Sequence, residues 1–335
     1  MIASLLFLLL ASSLQAFAQI SIVGIGDSYA SGNGALGFYT GPYECYRSPN
    51  SWLAQAADKI GGVYLNRGCS DGVISHLENA RVNTGLRRAD GGTCPATNFA
   101  PEESYELDSS GTTCTRFLQP QLNWVDSTTD LVLIGLGGND LNFETLVRSC
   151  FVGGSQSKTA CENVMTTNID LLPTFEADMT AALLAINAKF SANADSKIVL
   201  MTFPHIITEG RPWVEDCCGF SDGNMDIVDS LIDLGNAVQA RQLAAVLAAN
   251  TAAGREFAFL FDQTKRIFAG HEPRVGIEGG NFDGWVHDLN CNREQDSYHL
   301  NHIGHEVLGD ATAFFIANLY DGVEVPTPAP TPDPL

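Results

Sequence analysis

Basic residues are scarce in this chain: 18 Lys and Arg stand against 39 Asp and Glu, a formal net charge of −21 over 335 residues. Binding to nucleic acid or to an anionic membrane surface rests on clustered Lys and Arg, so neither is expected as a partner. The acidity reads as a source of solubility. Long apolar runs are missing too. Ile2 to Leu10 is almost wholly apolar, but a bilayer span takes roughly twenty such residues, and no later segment qualifies. No Cys-x-x-Cys pair stands near suitably spaced histidines, which argues against a zinc site. No repeat or low-complexity block precedes the tail.

What is present fits an exported protein. The apolar run followed by Ala16-Phe17-Ala18 reads as a signal peptide over residues 1–18, cleaved after Ala18, although its start carries no Lys or Arg. With 45% hydrophobic residues, residues 19–322 suffice for one large domain with a substantial core, expected to be a monomer. Residues 323–335, with proline recurring from Pro326 to Pro334, cannot bury a core and read as an extended tail. Nine cysteines remain after the leader. In an oxidising compartment most should pair, leaving one over. Sequence proximity suggests Cys45–Cys69, Cys94–Cys114 and Cys150–Cys161, with Cys291 taking Cys218 or Cys217.

Periodicity alternates between strand and helix. Ile20–Gly24, Val63–Asn66, Asp130–Leu136, Ile198–Phe203 and Phe257–Phe261 read as strands; Asn50–Ile60, Ile169–Phe190, Ile227–Ala249 and His302–Leu319 read as helices. Such alternation predicts an α/β fold, a three-layer αβα sandwich around a central parallel sheet, with the ligand site beyond the carboxyl ends of the strands.

Three motifs fall at those ends. Gly26-Asp27-Ser28-Tyr29-Ala30-Ser31-Gly32 follows the first strand, where a serine hydroxyl can be presented as a nucleophile, although Gly-Asp-Ser is also an ordinary turn. Gly137-Gly138-Asn139-Asp140 follows the third. Its glycines allow close backbone approach and the Asn139 amide can donate to an oxyanion, the plainer alternative being a helix cap. Asp296-Ser297-Tyr298-His299 precedes the last helix, so that one loop carries a base and an acid to orient it. His302 and His305 compete with His299 but read as helix-start or surface residues.

Taken together these blocks resemble the SGNH, or GDSL, hydrolase superfamily, in the right order and over nearly the whole mature chain. The resemblance implies an SGNH catalytic domain of flavodoxin-like type over 19–322, with Ser28 as nucleophile, His299 as base and Asp296 as its orienter. It implies an oxyanion hole made by the Ser28 N–H, the Asn139 amide and a glycine N–H from Asn66-Arg67-Gly68-Cys69-Ser70-Asp71-Gly72. Secreted relatives often read Cys-Ser-Gly there, which puts Asp71 where glycine is expected, and Gly72 is the favoured donor. Some relatives replace the acid by a backbone carbonyl. Cys45-Tyr46-Arg47-Ser48 resembles the secreted, disulfide-bonded esterase and lipase branch. The implied reaction is hydrolysis of acyl esters of lipids or small alcohols through an acyl-enzyme, with no cofactor or metal. A polysaccharide acetylesterase, for instance on xylan, is the alternative, in which Trp213 and Trp285 would stack on sugar rings rather than fill a core. A non-catalytic glycan- or lipid-binding protein is a third reading.

Overall fold

Strands covered on both faces must be apolar at successive positions, and the central strands of this protein are. The computed structural model describes residues 19–37, 39–87, 94, 101–107, 113–151, 157–190, 195–207, 225–273, 284–287 and 296–320. The expected leader and tail, Cys217, Cys218, Cys291 and Trp213 lie outside the described residues. In chain order the strands are β1 (Ser21–Gly26), β2 (Val63–Asn66), β3 (Arg81–Arg87), β4 (Glu103–Leu107), β5 (Thr113–Leu118), β6 (Leu131–Gly135), β7 (Lys197–Met201) and β8 (Ala258–Phe261). The helices are α1 (Ser28–Ser31), α2 (Trp52–Lys59), α3 (Phe143–Phe151), α4 (Lys158–Lys189), α5 (Met225–Ala253), α6 (Thr264–Ile267) and α7 (His302–Ala317).

Five strands form a parallel sheet in the order β2-β1-β6-β7-β8. Alternate side chains divide between two cores. Val23, Ile25, Val132, Ile134, Ile198 and Leu200 pack toward α4 and α5, whereas Ile22, Leu131, Leu133, Val199 and Met201 pack toward α2 and α7. This is a three-layer αβα sandwich with flavodoxin-like strand order, as expected from the sequence. Side-chain caps set the helix starts: Ser51 accepts from the Ala54 N–H at 3.3 Å, Ser157 from Ala160 at 3.0 Å and Asn301 from Gly304 at 3.0 Å.

Two features differ from the expected layout. Helix α4 begins at Lys158 rather than near Ile169 and runs through Pro173. Cys161, Met165, Asn168, Leu172, Phe175 and Met179 are buried at alternating spacings of four and three, a stripe strong enough to carry the helix past the hydrogen bond that proline cannot make. A second sheet, β3-β5-β4, is antiparallel and stands between β2 and β6 in the chain. The bridges Cys45–Cys69, Cys94–Cys114 and Cys150–Cys161 are formed. Beside the first of them Arg47 and Arg67 both pair with the buried carboxylate of Glu102. Among the described residues no helix is long and apolar enough to cross a membrane.

Because β1 neighbours β2 on one side and β6 on the other, the connections diverge between β1 and β6. Ligands in open parallel sheets bind at such switch points, beyond the carboxyl ends of the strands. The segments holding Ser28 and Asn139 leave β1 and β6 at that place.

Candidate active site

Strand β1 ends at Gly26, whose φ is +135°. A Cβ there would lie 2.0 Å from the Gly135 carbonyl oxygen, so only glycine permits the turn into α1. Asp27 caps that short helix by accepting from the Tyr29 N–H at 2.9 Å. Burial, reinforced by the charge of Asp140, pushes the Asp27 carboxyl up to about 8 against the backbone N–H groups that it accepts from. Ser28, first in α1, keeps its own N–H outside the helical bonding pattern.

His299 reaches Ser28 from the far end of the chain. Its Nε2 lies 2.6 Å from Ser28 Oγ, and both residues are buried, each 8% exposed. Its Nδ1 lies 3.0 Å from the backbone carbonyl oxygen of Ser297. A carbonyl only accepts, so Nδ1 carries the proton and Nε2 is left as the acceptor for the Ser28 hydroxyl. The supporting loop is tightly held: the His287 N–H donates to the His299 carbonyl at 2.7 Å and the Tyr298 N–H to the His287 carbonyl at 3.0 Å. Tyr298 has φ +58° and is fully buried, and its carbonyl accepts from the Tyr29 hydroxyl. The residue after the serine thus secures the residue before the histidine.

One expectation about this histidine is corrected. Asp296 was to orient it, but the acceptor at Nδ1 is the Ser297 carbonyl, while Asp296 takes a 3.4 Å contact from the Tyr39 hydroxyl. Burial holds the imidazole pKa down, to about 4, with the charge of His287 adding to the effect and the Ser297 carbonyl opposing it.

The neighbouring histidines also separate. His302 is exposed. His305, read as a helix-start or surface residue, is fully buried. Its Nδ1 accepts from the Trp52 N–H at 3.1 Å and its Nε2 faces the Asn33 carbonyl at 3.0 Å. It joins α7 to α2 and to the loop after Ser28. Trp285 is likewise a core residue, 5% exposed and stacked on His271 at 3.5 Å.

Asn139 opens the turn after β6, and its Nδ2 donates to the Gly72 carbonyl at 2.9 Å, leaving a second N–H on the same amide. Gly72 itself was the expected backbone donor, and here the structure corrects the sequence reading. Its N–H donates to the Cys69 carbonyl at 2.9 Å, closing a turn. What requires glycine at this position is space: a Cβ would sit 2.7 Å from the Gly26 carbonyl oxygen and 3.2 Å from Asp27 Cα. The N–H groups of Gly68, Cys69, Ser70, Val73 and Ile74 all have acceptors as well. Asp71 alone in this segment offers an N–H without an acceptor among the described residues, and its φ is +58°. That left-handed conformation favours glycine, which accounts for the glycine expected there.

A cavity of about 120 Å³ opens from Ser28 and Asn139, walled mainly by Phe143, Leu146, Phe203, Ile207, Leu231 and Val238. The sequence carried no motif for these residues, since each reads as ordinary core. Among the described residues no cluster of His, Cys, Asp and Glu could hold a metal ion.

Comparison with known proteins finds similarity to bacterial lipases. The chain is 26% identical to a lipase of Streptomyces rimosus over 280 residues, 83% of this chain and 79% of the relative. It is 25% identical to Lipase 1 of Streptomyces coelicolor over 294 residues, 86% and 84% of the two chains. The crystal structure of phospholipase A1 from Streptomyces albidoflavus superposes with a TM-score of 0.61 at 19% identity, covering 89% of this chain and 99% of the other. No family model matches the chain. With its motif blocks in order and its fold shared with these proteins, the chain resembles the SGNH hydrolase superfamily.

Proposed function

We propose that the protein is a secreted, monomeric serine esterase whose catalytic domain spans 19–322 and which cleaves acyl esters of lipids or small alcohols through a Ser28–His299 pair. The enzyme class is carboxylic ester hydrolase. One observation carries the assignment of the pair: the 2.6 Å contact between His299 Nε2 and Ser28 Oγ, with Nδ1 held by a backbone carbonyl so that Nε2 faces the serine as a base. As Ser28 Oγ attacks the ester carbonyl, its proton passes to Nε2. The tetrahedral oxyanion is held by the N–H groups of Ser28 and Asp71 and by the free N–H of the Asn139 amide. Collapse expels the alcohol, which takes the proton from Nε2, and water repeats the sequence to release the acid.

A neutral carbonyl orients the imidazole but adds no charge to stabilise the imidazolium. The low pKa of His299 follows chiefly from burial, which the hydrogen bond to the Ser297 carbonyl only partly offsets. The mainly apolar cavity beside Ser28 supports an acyl chain longer than acetyl, since burying each additional methylene contributes about 0.8 kcal/mol.

A panel of nitrophenyl esters of increasing acyl length, run beside acetylated xylan, tests the substrate class. Rates that rise with chain length from acetyl support the acyl-lipid reading. Release of acetate from xylan faster than hydrolysis of any longer ester would replace it with the polysaccharide reading.

A further inference from the structure

We propose that Arg81 is a positioning residue that holds the Cys69–Gly72 turn in the conformation from which the Asp71 N–H meets the oxyanion; the proposal rests on the ester-hydrolase mechanism above. Asp71 is an L-residue in a conformation that glycine adopts freely and that other residues adopt at a cost. Something outside the turn must favour it. Arg81, at the start of β3, contacts three consecutive residues of the turn. Its Nη1 donates to the Ser70 carbonyl and lies 3.6 Å from Cys69 Sγ, and its Nη2 lies 3.3 Å from Asp71 Oδ2.

The geometry suits a planar fork better than a point charge. One nitrogen fixes the carbonyl before Asp71, the other the carboxylate of Asp71 itself, so backbone and side chain are constrained together. The Arg81 side chain is 17% exposed whereas that of Asp71 is 73% exposed. The ion pair alone is therefore a weak tie, and the carbonyl bond makes the contact a clamp.

The turn serves the site twice. Asp71 offers the unpaired N–H, and the next carbonyl, that of Gly72, takes the Asn139 amide at 2.9 Å. A shift of the turn would therefore move two of the three oxyanion donors. Losing one such donor typically lowers the rate by about 10²–10³. The antiparallel sheet, which adds nothing to the central αβα core, thereby acquires a role in the chemistry.

The test compares Arg81→Ala, Arg81→Lys, Arg81→Ala/Asp71→Gly and Ser28→Ala in the full-length protein on a short nitrophenyl ester. Arg81→Ala should lower kcat by roughly ten- to a hundredfold with KM within about threefold, because the donors act on the transition state rather than on bound ester. Affinity for an alkyl boronic acid, which forms a tetrahedral adduct on the serine, should fall in parallel. Arg81→Lys keeps the charge but not the fork and should lie between, which keeps the test decisive if the alanine variant does not fold. Adding Asp71→Gly to Arg81→Ala should recover at least about tenfold in kcat, since glycine takes the left-handed conformation unaided.

Arg81→Ala and Arg81→Lys enzymes that fold and turn over within about twofold of wild type would overturn the clamp, as would a double variant no better than Arg81→Ala. Ser28→Ala separates the two levels of the account. If it retains activity, the hydrolase mechanism itself fails, whatever the Arg81 variants do.

Discussion

If His299 is a buried base oriented by a carbonyl, the enzyme should remain active in acid where an ordinary histidine-dependent hydrolase does not. The imidazole pKa falls from an ordinary 6.5 to about 4, chiefly through burial, a displacement equivalent to roughly 3 kcal/mol against the charged form. In its neutral form the ring can accept the Ser28 proton; protonated, it cannot. The assay is kcat/KM for a short nitrophenyl ester across about pH 3 to pH 9, which reports the free enzyme. The rate should hold level down through pH 5 and fall roughly tenfold per unit only below about 4.

Stability must be followed in the same samples. His299 and His305, held down to about 4 and about 3, are neutral in the fold but protonate on unfolding below about 6.5, so their contribution to stability is lost as pH falls from there toward the folded values. Asp27, pushed up to about 8, acts in the opposite sense: its contribution is present at low pH and is lost as pH rises toward 8. Circular dichroism at each pH separates loss of fold from titration of the base. An acid limb centred at 6.5 or above in folded protein would refute the buried, carbonyl-oriented histidine and restore a carboxylate as its partner.

Two substitutions probe the roles of neighbouring residues. Asp296→Asn should leave the midpoint of the acid limb within half a unit, with kcat reduced far less than the roughly 10⁴-fold typical of losing a triad carboxylate; kinetics against pH check this, and a loss equal to that of His299→Ala would return Asp296 to the mechanism. His305→Ala should fold with a stability lower by about 2–4 kcal/mol in urea titration, because the buried Trp52 N–H and Asn33 carbonyl lose their partners. The exposed His302→Ala should change stability by less than about 0.5 kcal/mol.

The central sheet was legible because its chemistry is repetitive. Leu131 to Ile134 are apolar at successive positions and buried at each, and such a run has few other uses. Its neighbours β1 and β7 read in the same way, and glycine-containing turns marked where β1 and β6 end. The antiparallel sheet was not legible. Segments such as Glu103–Leu107 are polar and partly exposed, and their pairing depends on a return of the chain that no local pattern announces. His305 was misread for a different reason. It lies on the face of α7 that buries Leu308, Gly309 and Thr312, but a polar residue hides that periodicity.

At the site, side-chain chemistry was visible and backbone chemistry was not. Ser28, Asn139 and His299 stand in recognisable blocks. The Ser297 carbonyl could belong to any residue type, so nothing in the sequence distinguishes it from the acid one place earlier. The choice between Asp71 and Gly72 turns on which N–H is already engaged, a matter of a single hydrogen bond to Cys69. The signal available was the aspartate standing where a glycine was expected, and its positive φ gives that signal a physical meaning.

The pairing of Ser28 with His299 is tested most directly by covalent trapping. A fluorophosphonate ester should label the wild-type protein once, with peptide mapping by mass spectrometry placing the adduct on Ser28. Labelling should slow by several orders of magnitude in folded His299→Ala and disappear in folded Ser28→Ala, together with ester hydrolysis. An adduct on another residue, or a folded Ser28→Ala protein that still hydrolyses esters at the wild-type rate, would contradict the account.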